Sequence, residues 1–191
     1  MSHSHYKIYK PYGYLSQFIN NQTKRKNKKL LGELGDFAVG TMAIGRLDEK
    51  SEGLLLLTTD GKISDQILSR KYEKEYYVLV DGAIEEHHLE ELRSGVLIGI
   101  HGKKYKTLKC EVDFLEEEPN FEERSKKIRD SRHGPTTWIR IILREGKFRQ
   151  IRKMTSAVGF PTLRLVRVRI GENYLINYTP GHIIKLDEFK L

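Results

Sequence analysis

An α+β fold follows from three features of the sequence. Short β-type runs outnumber helical periods, the two kinds occur in mixed order, and no internal repeat, coiled coil or inter-domain linker separates them. The 191 residues suffice to bury a core, as one domain or as two small lobes. Tyr6–Tyr9 reads as a short strand, ended by the Lys10-Pro11-Tyr12-Gly13 turn. Phe37–Ile44 is a mostly small and apolar strand candidate. Leu54–Thr59 is an apolar run too short for a helix and stopped by Asp60-Gly61, hence a buried strand. Lys62–Arg70 carries Ile63, Ile67 and Leu68 at helical spacing, and Tyr72–Val80 then alternates like a strand. Glu85–Arg93 is a helix stopped by Gly95.

Val96–Ile100 and Lys106–Leu115 read as strands around the His101-Gly102-Lys103-Lys104 turn. Residues 116–136 are charged, hold Pro119 and Pro135, and are expected to form a mobile loop. Trp138–Leu143 returns to strand. Phe148–Val158 is a helix with Ile151, Met154, Thr155 and Val158 on one face and Gly159 just past its end. Leu163–Ile170 alternates apolar residues with Arg164, Arg167 and Arg169, of which the last two share a face unless a bulge intervenes. Ile183–Leu186 is the final strand.

Composition excludes several classes of function. Apolar residues make up 38% and charged residues 31%, as in a globular protein with a solvated surface. No apolar run approaches the roughly 20 residues needed to span a bilayer. Met1 to Lys10 lacks the apolar centre of a signal peptide, so a cytoplasmic location is expected. Cys110 is the only cysteine, which rules out an intrachain disulfide and a Cys-based zinc site. His87-His88 reads as a solvated helix face, and His3 and His5 as terminal residues.

Lys and Arg number 34 against 26 Asp and Glu, giving a net charge of +8. Between Arg140 and Arg169, nine basic residues face Glu145 alone, a balance of +8 that equals that of the whole chain. A second basic cluster is Lys24, Arg25, Lys26, Lys28 and Lys29. Such concentration is the electrostatic footprint of a polyanionic partner.

The densest chemical signal is Gly45-Arg46-Leu47-Asp48-Glu49-Lys50-Ser51-Glu52-Gly53, followed by Leu54 to Gly61. A strand leads into a polar turn and a buried strand leaves it, so Asp48 hangs on a loop with both ends fixed in a sheet. Ser51 and Glu52 can tie the loop down, and Gly53 permits a sharp re-entry. One carboxylate is thereby presented rigidly. The plainer reading is that Asp48 caps a turn.

Gly45 through Gly61 resembles the signature of the pseudouridine synthases of the RsuA/RluA-related group. Three further stretches match in order. They are Lys10-Pro11-Tyr12-Gly13; Lys74-Glu75-Tyr76-Tyr77-Val78; and Glu145 to Met154 followed by Leu165 to Gly171. The resemblance implies a single catalytic domain over 1–191, a mixed, mainly antiparallel sheet in two lobes, and a central RNA-binding cleft. No S4 RNA-binding domain is expected ahead of Lys10. The implied reaction turns a uridine of ribosomal RNA, in the large subunit, into pseudouridine. It implies no cofactor, nucleotide or metal, and the sequence has neither a phosphate-binding loop nor a dinucleotide fingerprint. The expected protein is a monomer.

The resemblance also implies site roles. Asp48 is the catalytic carboxylate and Arg152 its ion-pair partner, with Lys147 the second choice. Tyr76 is the stacking ring and general base, although without the resemblance it reads as a core tyrosine. Arg46 fills the space left by a flipped base, or else makes a surface ion pair. Leu163 or Leu165 forms an apolar wall against the uracil. Lys147, Arg149, Lys153 and Arg167 contact RNA. Phe148 is bulkier than the polar residue the resemblance leads one to expect. A binding module without chemistry and an N-glycosidase are the competing functional readings.

Overall fold

Residues 3–19, 27–69, 72–175 and 179–190 are described by a computed structural model. Lys24, Arg25 and Lys26 of the second basic cluster lie outside them. The chain divides into two compact units, one of residues 1–72, 121–126 and 166–191, the other of residues 73–120 and 127–165.

The first unit is built on β3 (Glu52–Thr58), a strand buried along its whole length. Leu54, Leu55, Leu56 and Leu57 are completely enclosed, each contributing about 2 kcal/mol by removal from water. Burial on both faces explains why this strand reads as a continuous apolar run rather than an alternation. On one edge it pairs antiparallel with β1 (His5–Lys10), which in turn pairs with β11 (Ile183–Leu186). Its other edge is shared. β2 (Met42–Ile44) lies antiparallel against Leu56 to Thr58, and β9 (Thr162–Ile170) runs parallel against Glu52 and Gly53. A short β10 (Asn173–Tyr174) folds back on β9. Helix α1 (Gly61–Leu68) follows β3, and its N-cap Asp60 accepts from the Lys62 and Ile63 amides.

Tyr6, Ile8, Leu31, Leu55 and Leu57 form a core cluster with Phe18, Leu34 and Phe37 packed against it. The strand expected over Phe37–Ile44 is restricted to its last three residues. The Phe37 ring packs edge-on against Tyr6 and Phe18, and a turn closes as the Thr41 amide donates to the Ala38 carbonyl at 3.1 Å.

In the second unit β4 (Lys74–Asp81), β8 (Thr136–Leu143) and β7 (Glu111–Phe114) form an antiparallel array. The first half of β9 belongs to this unit and neighbours β4. Helix α2 (Glu86–Ser94) ends at Gly95 with φ +89°. Next comes a hairpin of β5 (Leu97–Ile100) and β6 (Lys103–Lys106), and helix α3 (Gln150–Ala157) follows β8. The strand expected over Lys106–Leu115 is two strands, because β6 pairs with β5 whereas β7 pairs with β8. Thr107 makes the break, accepting from the Val96 amide with its hydroxyl at 2.9 Å while its own amide donates to the Val96 carbonyl. Helix α3 starts two residues later than expected because Arg149 is left-handed, with φ +53°.

In the 116–136 segment Thr136 already opens β8, and the rest is irregular apart from a turn of 3-10 helix at Ser131–His133. The segment is tied at several points. Arg129 binds Asp81 and donates to the Gly134 and Pro135 carbonyls, and Trp138 donates to Glu118 at 3.3 Å. No helix of the described residues is long and apolar enough to cross a membrane.

Candidate active site

Three strands of the first unit place Lys10, Gly53 and Arg167 in one row, through the Lys10–Gly53 register of β1 with β3 and the Gly53–Arg167 register of β3 with β9. Lys10 is fully buried and Arg167 is 3% exposed. The residue between them is a glycine for a steric reason. Its φ is +103°, and a Cβ there would lie 2.3 Å from the Arg167 carbonyl oxygen. Two basic side chains thus flank a position without one.

Each cation is anchored. Lys10 Nζ donates to the Pro11 and Tyr14 carbonyls, both at 2.8 Å. Arg167 Nε donates to the Leu54 carbonyl at 2.8 Å, and Arg167 Nη2 is buried without a hydrogen-bond partner. Burial pushes the Lys10 ammonium down to about 7, opposed by the fields of Glu52, Asp48 and Glu49 and reinforced by that of Arg167. Glu52 is itself buried and accepts from the Tyr9 hydroxyl at 3.4 Å.

The loop between β2 and β3 presents Asp48 beside this cluster, half-buried. Its conformation is fixed from both sides. The Ser51 amide donates to the Asp48 carbonyl at 2.9 Å, and the Gly13 amide to that of Glu49 at 2.8 Å. Ser16 clamps Leu47, donating to its carbonyl at 2.8 Å and accepting from its amide at 2.9 Å. Lys28 pairs with Glu49 at 2.6 Å. Arg46 is exposed and reaches Gln17 Oε1 at 3.4 Å. A carboxylate held this way, with two buried basic side chains in its own unit, is suited to act on an electron-poor carbon.

The second unit holds the other predicted site residues. Tyr76 is 8% exposed and sits on β4 opposite Ile141 of β8. Arg152, on α3, is half-buried, with Nη1 donating to the Thr162 carbonyl at 3.4 Å. Lys147 places its ammonium 4.8 Å from the centre of the Tyr105 ring. Lys153 donates to the Gly99 carbonyl at 2.6 Å. Arg149 and Leu163 are half-buried and Leu165 is buried.

The basic segment is less available than its sequence implies. Arg167 lies inside the first unit, so it is no surface contact for phosphates, and Arg164 is 5% exposed. Arg140 pairs with Asp113, its register partner on β7, at 2.6 Å, and Arg144 pairs with Glu73 at 2.8 Å. Carboxylates distant in sequence therefore oppose cations that Glu145 alone faces within the segment. Glu145 is buried and consumed by the Tyr105 hydroxyl, the Leu108 amide and the Gln150 amide group. What remains half-exposed is Lys147, Arg149, Arg152, Lys153 and Arg169.

Sequence reasoning missed Lys10 as a site residue. The usable signal was a lysine closing a strand immediately before a proline. Among the described residues no group of three or more His, Cys, Asp or Glu side chains is placed to hold a metal ion.

A loop-borne carboxylate set beside buried basic side chains is the arrangement of an enzyme rather than of a passive binding domain. The sequence model of the RNA pseudouridylate synthases matches residues 4–157, and the chain belongs to that family. Its relatives include the ribosomal large subunit pseudouridine synthase E of Xanthomonas axonopodis pv. citri, 40% identical over 85% of this chain and 83% of that protein. The ribosomal large subunit pseudouridine synthase B of Salmonella typhi is 34% identical over 69% of this chain and 39% of its own. A crystal structure of a pseudouridylate synthase shares the fold with a TM-score of 0.75, at 23% identity, over 96% of this chain and 70% of that one.

Proposed function

We propose that the protein isomerises a uridine of large-subunit ribosomal RNA to pseudouridine, with Asp48 as the reacting carboxylate. The observation that carries this reading is the 40% identity to a large-subunit synthase over most of both chains. The fixed loop that presents Asp48 supports it.

The reaction balances without a co-reactant. The bond between N1 of the uracil and C1′ of the ribose breaks, a bond between C5 and C1′ forms, C5 loses its proton and N1 gains one. Asp48 stabilises the developing oxocarbenium ion or attacks C1′ as a nucleophile. Lys10, whose ammonium feels the Asp48 charge, supplies a basic side chain beside it. Tyr76 is the base that takes the C5 proton, Arg152 the guanidinium that balances the reacting carboxylate, and Arg46 the side chain that replaces the flipped base. Leu163 or Leu165 bounds the uracil. Lys147, Arg149 and Lys153 bind phosphates. In this reading residues 1–191 act as one catalytic domain, a monomer in the cytoplasm, and the 116–136 segment moves when RNA binds.

Carbodiimide mapping of pseudouridine in ribosomal RNA, from cells with and without the protein, tests the proposal. One modified position in large-subunit RNA should disappear with the protein and return with it. An unchanged map would overturn the assignment.

A further inference from the structure

Phe148 is 59% exposed although it stands in the most cationic stretch of the chain. Its ring is not loose. It lies nearly parallel to the His101 ring, at 23° and a centroid distance of 6.2 Å. The Lys153 ammonium sits 5.1 Å from its centre and is held by the Gly99 carbonyl. His101 itself occupies a left-handed turn, φ +47°, at the tip of the β5–β6 hairpin, and Arg149 beside Phe148 is left-handed as well. For residues other than glycine such backbone costs energy.

The surroundings are positive. Lys103 and Lys104 are exposed on the same hairpin, and Lys147 rests against Tyr105 of β6. Glu145, the nearest acidic residue in sequence, is buried and satisfied by three donors, so it offers no compensating surface charge. An exposed aromatic ring with one ammonium against it, and further lysines on the hairpin that carries its His101 neighbour, fits a flat, apolar ligand carried on a polyanion. That is the chemistry of an unpaired nucleobase in RNA: its π-face stacks on the ring while its flanking phosphates meet the lysines.

We propose that Phe148, backed by His101 and Lys153, is a stacking platform for an unpaired nucleotide of the RNA substrate other than the one isomerised. The inference rests on the reading of this chain as an RNA-acting synthase. Phe148 takes no part in the catalytic set, so the platform contributes affinity and selects RNA with an unpaired base.

The test uses the full chain and two RNA probes, a hairpin with 2-aminopurine in its loop and a blunt duplex. Wild-type protein should quench 2-aminopurine on binding, since stacking on an aromatic ring does so. Phe148→Ala should lose the quenching and bind the hairpin about 5- to 50-fold more weakly, with duplex affinity unchanged. Phe148→Trp should restore both. Circular dichroism of the variants confirms the fold, which substitution of an exposed side chain leaves intact. If Phe148→Ala quenches and binds as wild type while the protein still isomerises uridine, the platform is refuted and the synthase reading stands. If wild-type protein binds neither RNA, both fail.

Discussion

A Cβ atom on Gly53 would lie 2.3 Å from the backbone oxygen of Arg167 and 2.7 Å from its nitrogen. This close approach lets β9 run directly alongside the start of β3, and it sets the point at which the Asp48 loop must return to the sheet. Gly53→Ala therefore combines a positive φ with a backbone clash. It should destabilise the protein by about 2–3 kcal/mol or more, measured by urea denaturation. A loss below about 1 kcal/mol would mean that the two strands are not so tightly apposed.

The buried Lys10 gives stability a defined pH dependence. Its ammonium titrates near 7 in the folded chain against an ordinary value of 10.5. The folded state therefore holds fewer protons than the unfolded one between those values, and stability rises with pH across that window. The cost of burying the charge is fully present below about pH 7 and vanishes above about pH 10.5. Relative to Lys10→Met, wild-type stability should climb from pH 7 to 10 with a slope of up to one proton, about 1.4 kcal/mol per pH unit. Parallel curves for the two proteins would contradict the buried-cation description.

Tyr76 separates a chemical role from a packing role. Tyr76→Phe keeps the ring on β4 and removes only the hydroxyl. As the proposed base, that hydroxyl should account for about 10²- to 10⁴-fold in rate, with RNA affinity and melting temperature nearly unchanged. Full activity in Tyr76→Phe would return the residue to the core.

RNA affinity should fall steeply with salt, because ammonium and guanidinium groups displace counterions from phosphates. Lys147→Ala and Lys153→Ala should each reduce the slope of log K against log salt by about 0.7–0.9. Equilibrium titrations at several salt concentrations read this directly. A slope unchanged in both would remove these lysines from the interface.

The fold was legible where local pattern and tertiary setting agree. The run Leu54 to Leu57 announced a strand buried on both faces, and Asp48 was correctly hung between β2 and β3. Legibility failed where a distant segment decides. Arg140 and Arg144 counted as free charge in the sequence, but Asp113 and Glu73 reach them only through strand pairing and folding. Arg167 reads as a surface arginine because its neighbours alternate, yet β3 and the Leu54 carbonyl enclose it. Lys10 was hidden for the same reason, since nothing local reveals that its strand ends against Gly53. The start of α3 shifted because no propensity scale anticipates a left-handed Arg149.

In the proposed reading Asp48 performs the chemistry, while the Ser51, Gly13 and Ser16 hydrogen bonds hold its loop in place. Tritium release from RNA carrying 5-tritiated uridine measures that chemistry, because C5 loses its hydrogen only when the new bond forms. Asp48→Asn preserves size and loop geometry, and should release no more than a trace of tritium while binding RNA within a few-fold of wild type. Release by Asp48→Asn at a rate near that of the wild type would contradict the account.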